Sequence, residues 1–328
     1  MADWHHPAFL ADAHDWIRSF VTVTGTIEQR HAQWWSTVLR VPTPGAHVWF
    51  KAVVEGAGYE PRLTELLAGL RPLDVPELIA IDTERGWMLM RDGGVRLRDL
   101  GGELQVWETI LPAYAELQLA TASEVGELLC LGVPDERLDG LPERLTQLLG
   151  DEAFLMLDEA DGLTTAERAR LVARIPEVDA QCRELAGLGI PATIQHDDLH
   201  GGNVLVRDGR NRVLDWGDAC VSHPFHSLTV LLRATAWKLD LVPGGPELRR
   251  MRDAYLEPFT SFGTRHELIE AAELAYRTGT IARSLAWYRA LAALPLDARA
   301  EDLDTIAYGL QRYLEGGPMG AWRWETGS

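Results

Sequence analysis

The chain's 328 residues are 46% hydrophobic, enough for a buried core in two domains or in one large two-lobed one. Acidic side chains outnumber basic ones 49 to 31, a formal charge of −18, which argues against a nucleic-acid partner because phosphate neutralisation needs clustered Lys and Arg. The same acidity suits a cationic substrate, or serves solubility.

Cys130, Cys182 and Cys220 form neither a disulfide framework nor a C-x-x-C pair, so a reducing compartment is expected. Asp3, His5, His6, Asp12 and Asp15 interrupt the start of the chain where a signal peptide needs an apolar run. No stretch has membrane length, and the expectation is a cytoplasmic protein with no membrane partner.

In chain order, an opening segment of helical character precedes two predicted strands, Val21 to Thr26 and Trp34 to Val41, both rich in β-branched and aromatic residues. The turn Pro42-Thr43-Pro44-Gly45 leads to a third, His47 to Val54, an apolar run with one charge, Lys51; together they read as an antiparallel meander. An early proline and leucines at helical spacing start a helix near Glu60. Strands at Glu77 to Asp82 and Trp87 to Arg91 follow, closed by Gly93-Gly94. From Leu104 the apolar spacing is helical, and strand character returns only at Ala192 to Ile194, Asn203 to Arg207 and Arg212 to Leu214, with Asp208-Gly209 as a turn. Leu248 to Leu314 is helical again, after the loop Pro243-Gly244-Gly245-Pro246.

Those short strands bracket His196-Asp197-Asp198-Leu199-His200-Gly201-Gly202-Asn203 and Leu214-Asp215-Trp216-Gly217. Phosphoryl transfer needs an oriented acceptor hydroxyl and a metal to neutralise phosphate charge. One carboxylate for the hydroxyl proton, with an Asn and a second carboxylate for magnesium, meets both needs. Asp198, Asn203 and Asp215 have those types, at the spacing of H-R-D-x-x-x-x-N and a later D-F-G.

The first segment resembles the H-G-D-x-H-x-x-N signature of the aminoglycoside phosphotransferase family, whose relatives include choline, homoserine and methylthioribose kinases; Asp215-Trp216 resembles the I-D-W or I-D-F element that follows it. The resemblance implies an α+β, protein-kinase-like two-lobed fold. Residues 1–92 would form an antiparallel-sheet lobe with one key helix, and residues 93–328 a larger, mainly helical lobe with the catalytic loop and substrate site. Asp198 is then the catalytic base, Asn203 and Asp215 bind Mg2+ bridging the phosphates of ATP or GTP, and His196 braces the loop. Lys51 contacts the inner phosphates, with Glu60 as its ion-pair partner and Glu65 as the competitor one turn later. The adenine would lie at Met90, Arg91, Asp92 and Gly93, bonded by main-chain groups. Asp218 either supports the metal or caps a turn.

The activity so implied is transfer of a γ-phosphoryl group to a hydroxyl of an aminoglycoside, amino sugar or related compound, serving antibiotic resistance. The alternatives are a metabolic kinase for choline, homoserine or a sugar, and a non-catalytic nucleotide-binding pseudokinase. Trp237, Asp240, Glu257, Tyr276, Arg283, Trp287 and Tyr288 are candidate acceptor lining. The chain departs from the family twice. No G-x-G-x-x-G precedes Lys51, where the matching region runs from Thr24-Gly25-Thr26 through Gln33-Trp34-Trp35, and His223 and Ser227 replace the two Asp of G-D-P-x-x-D-L.

Overall fold

The computed structural model describes residues 3–294 and 302–321. Its elements in chain order are α1 (Pro7–Arg18), β1 (Glu28–Ala32), β2 (Ser36–Thr43), β3 (Ala46–Val53), α2 (Glu60–Leu70), β4 (Leu78–Asp82), β5 (Trp87–Arg91), β6 (Val95–Arg96), α3 (Glu103–Ala120), α4 (Val125–Cys130), α5 (Leu141–Gly150), α6 (Glu152–Leu155), α7 (Thr165–Gly187), β7 (Thr193–Gln195), β8 (Val204–Arg207), β9 (Arg210–Val213), β10 (Cys220–Ser222), α8 (Ser227–Lys238), α9 (Pro246–Leu256), α10 (Arg265–Ala292) and α11 (Asp304–Glu315). The chain divides into two compact units. The first comprises residues up to Gly101 with Cys130–Val133 and Gly202–Asp218; the second comprises Gly102–Leu129, Pro134–Gly201 and residues from Ala219 onward. The expected α+β, protein-kinase-like architecture of a sheet part and a mainly helical part is what the fold shows.

In the first unit a five-stranded antiparallel sheet has the order β1-β2-β3-β5-β4. Central β3 is nearly buried along its second half, as a strand covered on both faces must be. One face packs a core of Trp4, Ile17, Leu39, Phe50, Trp87 and Leu89, in which α1 takes part. The strand expected over Val21 to Thr26 does not form; β1 begins at Glu28. Val21, Val23 and Ile27 spend their apolar surface on that core instead, and Thr24 donates one backbone bond, to Pro42. The next strand starts at Ser36 because the Gln33 N–H closes a turn onto the Ser36 carbonyl at 2.9 Å. A smaller sheet, β6-β8-β9, completes this unit.

The second unit is helical around the two-stranded sheet of β7 and β10, which pairs Gln195 with Cys220 and Thr193 with Ser222. Reciprocal capping boxes start its two longest helices, Thr164 with Glu167 for α7 and Thr264 with Glu267 for α10. Its core holds the fully buried rings of Trp107, Tyr114, Phe225, Tyr255 and Phe259. No helix among the described residues is long and apolar enough to cross a membrane.

Candidate active site

In the first unit Lys51 lies mid-strand on β3, opposite Val38 and Met88. An ammonium there is costly unless paired, and two carboxylates pair it: Glu60 Oε1 at 2.7 Å and Asp215 Oδ1 at 2.5 Å. Burial alone would lower the Lys51 pKa, but the two negative charges hold it above its ordinary value. Glu60 begins α2, where Pro61 suits the first turn. Its Oε1 also accepts the Trp216 N–H at 3.0 Å, and burial pushes its carboxyl pKa up against the opposing pull of Lys51. Glu65, the competitor, is exposed on the same helix.

Asp215 differs from Glu60 in being open, with 44% of its side chain exposed against 2%. Its φ is +69°, the left-handed region that Asp tolerates better than most residues. The β8–β9 ladder explains its neighbours: Val204 pairs with Val213 and the Leu214 N–H donates to the Asn203 carbonyl at 3.0 Å. Asn203 and Asp215 therefore stand at the same end of one hairpin. The loop after Asp215 is tied to α2's approach by Tyr59, whose hydroxyl donates to the Gly217 carbonyl at 2.6 Å.

Met90 is buried within β5, paired with Trp49. The exposed Arg91 bonds Glu77 twice, through its guanidinium at 2.7 Å and its backbone N–H at 2.9 Å. Asp92 gathers Trp49 Nε1 at 3.1 Å, His47 at 3.4 Å and Arg207 at 3.2 Å. Gly93 and Gly94 pass so close to β8 that added Cβ atoms would lie 2.5 Å from Leu205 Cδ1 and 2.3 Å from the Val206 carbonyl oxygen.

In the second unit β7 ends at Gln195 and the next residues form the loop that carries Asp198. Asp197 adopts φ +59°, storing strain of the kind that clusters at functional sites. Fully buried His196 accepts the Asp198 N–H on Nδ1 at 3.2 Å, while its own N–H donates to the Tyr114 hydroxyl at 3.2 Å. Asp198 is partly open, with 31% of its side chain exposed. Arg283 of α10 spans both carboxylates, 3.2 Å from Asp197 Oδ2 and 3.4 Å from Asp198 Oδ1, and His200 Nε2 lies 3.4 Å from Asp198 Oδ2. Burial pushes the Asp198 pKa up, yet the His200 hydrogen bond and the Arg283 charge hold it below the ordinary carboxylate value.

The two residues that replace the family's Asp positions acquire a structural role here. Ser227 Oγ lies 2.8 Å from the Tyr114 hydroxyl and accepts Gln118 Nε2 at 3.2 Å. The chain Ser227–Tyr114–His196 thus runs from α8 to the loop. His223 Nδ1 accepts the Phe225 N–H at 3.2 Å and caps a short turn, and His226 lies between Ser222 Oγ and Thr278 Oγ1, 3.0 Å from each. Of the candidate acceptor lining, Arg283 and Trp287 stack at 5.3 Å and Tyr276 is buried, whereas Trp237 is 53% exposed. Sequence reasoning missed Tyr114, Gln118 and the ion pairs of Arg283; sequence separations of 82 residues or more leave no local signal for them.

A comparison by sequence with curated proteins finds no match. Among solved structures, a choline kinase from Streptococcus pneumoniae is similar over 93% of this chain and 100% of its own, with a TM-score of 0.58 and 15% identity. A macrolide 2'-phosphotransferase type I is similar over 97% and 99%, with a TM-score of 0.57 and 12% identity. A spectinomycin phosphotransferase in complex with ADP and spectinomycin is similar over 92% and 97%, with a TM-score of 0.50 and 10% identity. At those identities the likeness establishes the fold. Residues 26–268 match the phosphotransferase enzyme family, which covers the sheet, the His196–Asn203 loop and the Asp215 hairpin, and the chain accordingly belongs to the aminoglycoside phosphotransferase family of small-molecule kinases that phosphorylate a hydroxyl acceptor.

Proposed function

We propose that the protein transfers the γ-phosphoryl group of ATP or GTP to a hydroxyl of a small molecule, with Asp198 as the base. The observation that carries this reading is the state of Asp198: partly open, held ionised by His200 and Arg283, and fixed through its own N–H by buried His196. A general base must be unprotonated and oriented. Its Oδ would take the acceptor's proton as the hydroxyl oxygen bonds to γ-phosphorus, and the bond from that phosphorus to the bridging oxygen breaks to release the nucleoside diphosphate.

Lys51 would hold the inner phosphates, since Glu60 fixes its Nζ while leaving ammonium protons to donate. The donor set of Asn203 and Asp215 fits Mg2+, which takes hard oxygen ligands from one or two side chains together with substrate phosphates. When bound, the ion would neutralise phosphate charge in the transfer. Met90, Arg91 and Gly93 would border the adenine, and since the Arg91 N–H is committed to the Glu77 carbonyl, the main-chain bonds to the base would come from the other groups of this segment. The division into a nucleotide-binding part over 1–92 and an acceptor-binding part over 93–328 belongs to the same proposal. The ADP complex of the spectinomycin phosphotransferase supports a nucleotide co-substrate by analogy. Among aminoglycosides, amino sugars, related hydroxylated compounds and small amino alcohols, the charge of the acceptor-side lining decides, and it is taken up below.

The test is nucleoside diphosphate release and product mass with magnesium, either nucleotide and a panel of hydroxyl acceptors, run on the parent, Asp198→Asn and Asp215→Asn. Asp198→Asn is expected to lose about 10²–10⁴ in kcat with nucleotide affinity retained, and Asp215→Asn to lose magnesium-dependent nucleotide binding. Parent-like behaviour of both variants would overturn the site. Nucleotide binding without any phosphorylated product would favour the pseudokinase alternative.

A further inference from the structure

Arg283, whose guanidinium lies 3.4 Å from Asp198, also lines a narrow cleft between α8, α10 and α11. The cleft has about 30 Å³ of room, enough for two or three waters or for one small polar group. In a chain where 49 acidic residues face 31 basic ones, its lining includes Arg233, Arg277, Arg283 and Arg312 and, among the described residues, not one Asp or Glu.

Carboxylates do reach three of these arginines from outside the lining. Glu315 pairs with Arg312 at 2.6 Å, Glu177 with Arg277 at 3.4 Å, and Asp197 and Asp198 with Arg283. A guanidinium has five N–H donors, and one such pair uses one or two of them. Arg233 lies over the Tyr308 ring, 5.9 Å from its centroid. Two further donors have no hydrogen-bond partner among the described residues: Arg277 Nε, and the hydroxyl of Thr229, a residue only 2% exposed whose Oγ1 is pressed against Gly279. Burying donors without partners is expensive, and a small anion in the cleft brings acceptors to the guanidiniums that line it. The Tyr276 hydroxyl lies within the field of Arg233 and Arg312.

Resting on the kinase reading above, we infer that the acceptor is an anionic alcohol, a hydroxy compound bearing a carboxylate or phosphate that this arginine cleft holds while its hydroxyl meets Asp198. The shared chemistry is a small oxyanion with planar or tetrahedral oxygens, which guanidinium forks match bidentately. A polycationic aminoglycoside would place amines against arginines, and like charges at close range cost affinity. The sequence's overall acidity suited a cationic partner or solubility alike; the local lining points to an anion because it is the nearest charges that a bound group meets.

The experiment uses the full chain with magnesium and ATP or GTP. Turnover is followed with malate, glycerate and glycerol 3-phosphate, and with choline, ethanolamine and kanamycin, and equilibrium binding of the same six probes is followed by calorimetry. Arg233→Gln and Arg277→Gln are measured beside the parent. The expected result is saturable binding of at least one anionic probe, weakened about tenfold or more in each variant, with nucleotide affinity unchanged. In turnover, the carboxylate and phosphate arms then tell the two sources of the oxyanion apart. Phosphorylation of a cationic probe with a KM indifferent to both variants would overturn the inference and leave the kinase reading standing. Absence of saturable binding by every anionic probe would also overturn it. Failure to bind magnesium nucleotide would remove both.

Discussion

The two units solve the same electrostatic problem by the same means. In the first, one buried ammonium, Lys51, is held between two carboxylates; in the second, one guanidinium, Arg283, is held between two. Each arrangement has a closed carboxylate and an open one: Glu60 is 2% exposed against 44% for Asp215, and Asp197 is 6% against 31% for Asp198. The closed member anchors the cation, and the open one keeps oxygen lone pairs for chemistry. The open carboxylates are the two that the proposed mechanism uses, one for metal and one for a proton. The comparison teaches that a buried ion pair here serves position more than stability, since such pairs barely offset their own desolvation.

The largest effect comes from breaking the first arrangement. Among the described residues, Lys51→Met leaves the buried Glu60 carboxylate with the Trp216 N–H as its remaining partner, and losing one partner of a buried pair costs about 3–5 kcal/mol. Chemical denaturation should show that loss. Adding Glu60→Gln should recover most of it, because the double variant no longer buries a charge, while nucleotide binding stays impaired. A double variant as unstable as the single one would mean that Lys51 stabilises the fold by packing instead.

How far this was legible in the sequence follows from distance along the chain. His196 to Asn203 and Asp215 declare themselves because local spacing fixes which side chains one loop and one hairpin can present. The sheet and the helix at Glu60 are legible through β-branched runs, Pro61 and leucine periodicity. Val21 to Thr26 misled, since the same apolar residues that make a strand also pack a loop onto a core, and periodicity cannot tell the two apart. Tyr114 escaped, as did the contacts that Ser227 and Arg283, both named from the sequence, make with it and with the loop, because tertiary packing alone brings them there. The charge of the cleft between α8, α10 and α11 escaped for a related reason: net charge is a sum over the surface, whereas a cleft selects a few residues from it.

Acid should separate the units next, because the second, besides its buried ion pair, buries two neutral imidazoles. Burial lowers His223 to about 3 and His226 to about 4 from an ordinary value of 6.5. Protonating His223 on Nδ1 would also forfeit its bond from the Phe225 N–H. Below pH 6.5 the unfolded chain takes up protons that the folded one refuses, so stability falls as pH drops towards 4, by on the order of 1 kcal/mol per pH unit for each histidine. Denaturation midpoints between pH 7 and 4.5 would show that slope, and His223→Asn, which keeps an acceptor for the turn, should remove one histidine's share of it. A slope unchanged by the substitution would place the acid sensitivity elsewhere.

The smallest effect is the most diagnostic of the second arrangement. Arg283 and His200 together hold the Asp198 pKa down against its burial. Arg283→Gln removes a positive charge, so the pKa rises. A base works only when deprotonated, and the acid limb of kcat/KM should therefore move to higher pH. Arg283→Lys keeps the charge but not the fork that reaches both Asp197 and Asp198; it should return the limb towards the parent's position without restoring full kcat. Loss of an arginine that only packed against Trp287 would lower activity at every pH alike and leave the limb in place, so an unmoved limb in Arg283→Gln would refute the assignment of Arg283 as the residue that keeps Asp198 ionised.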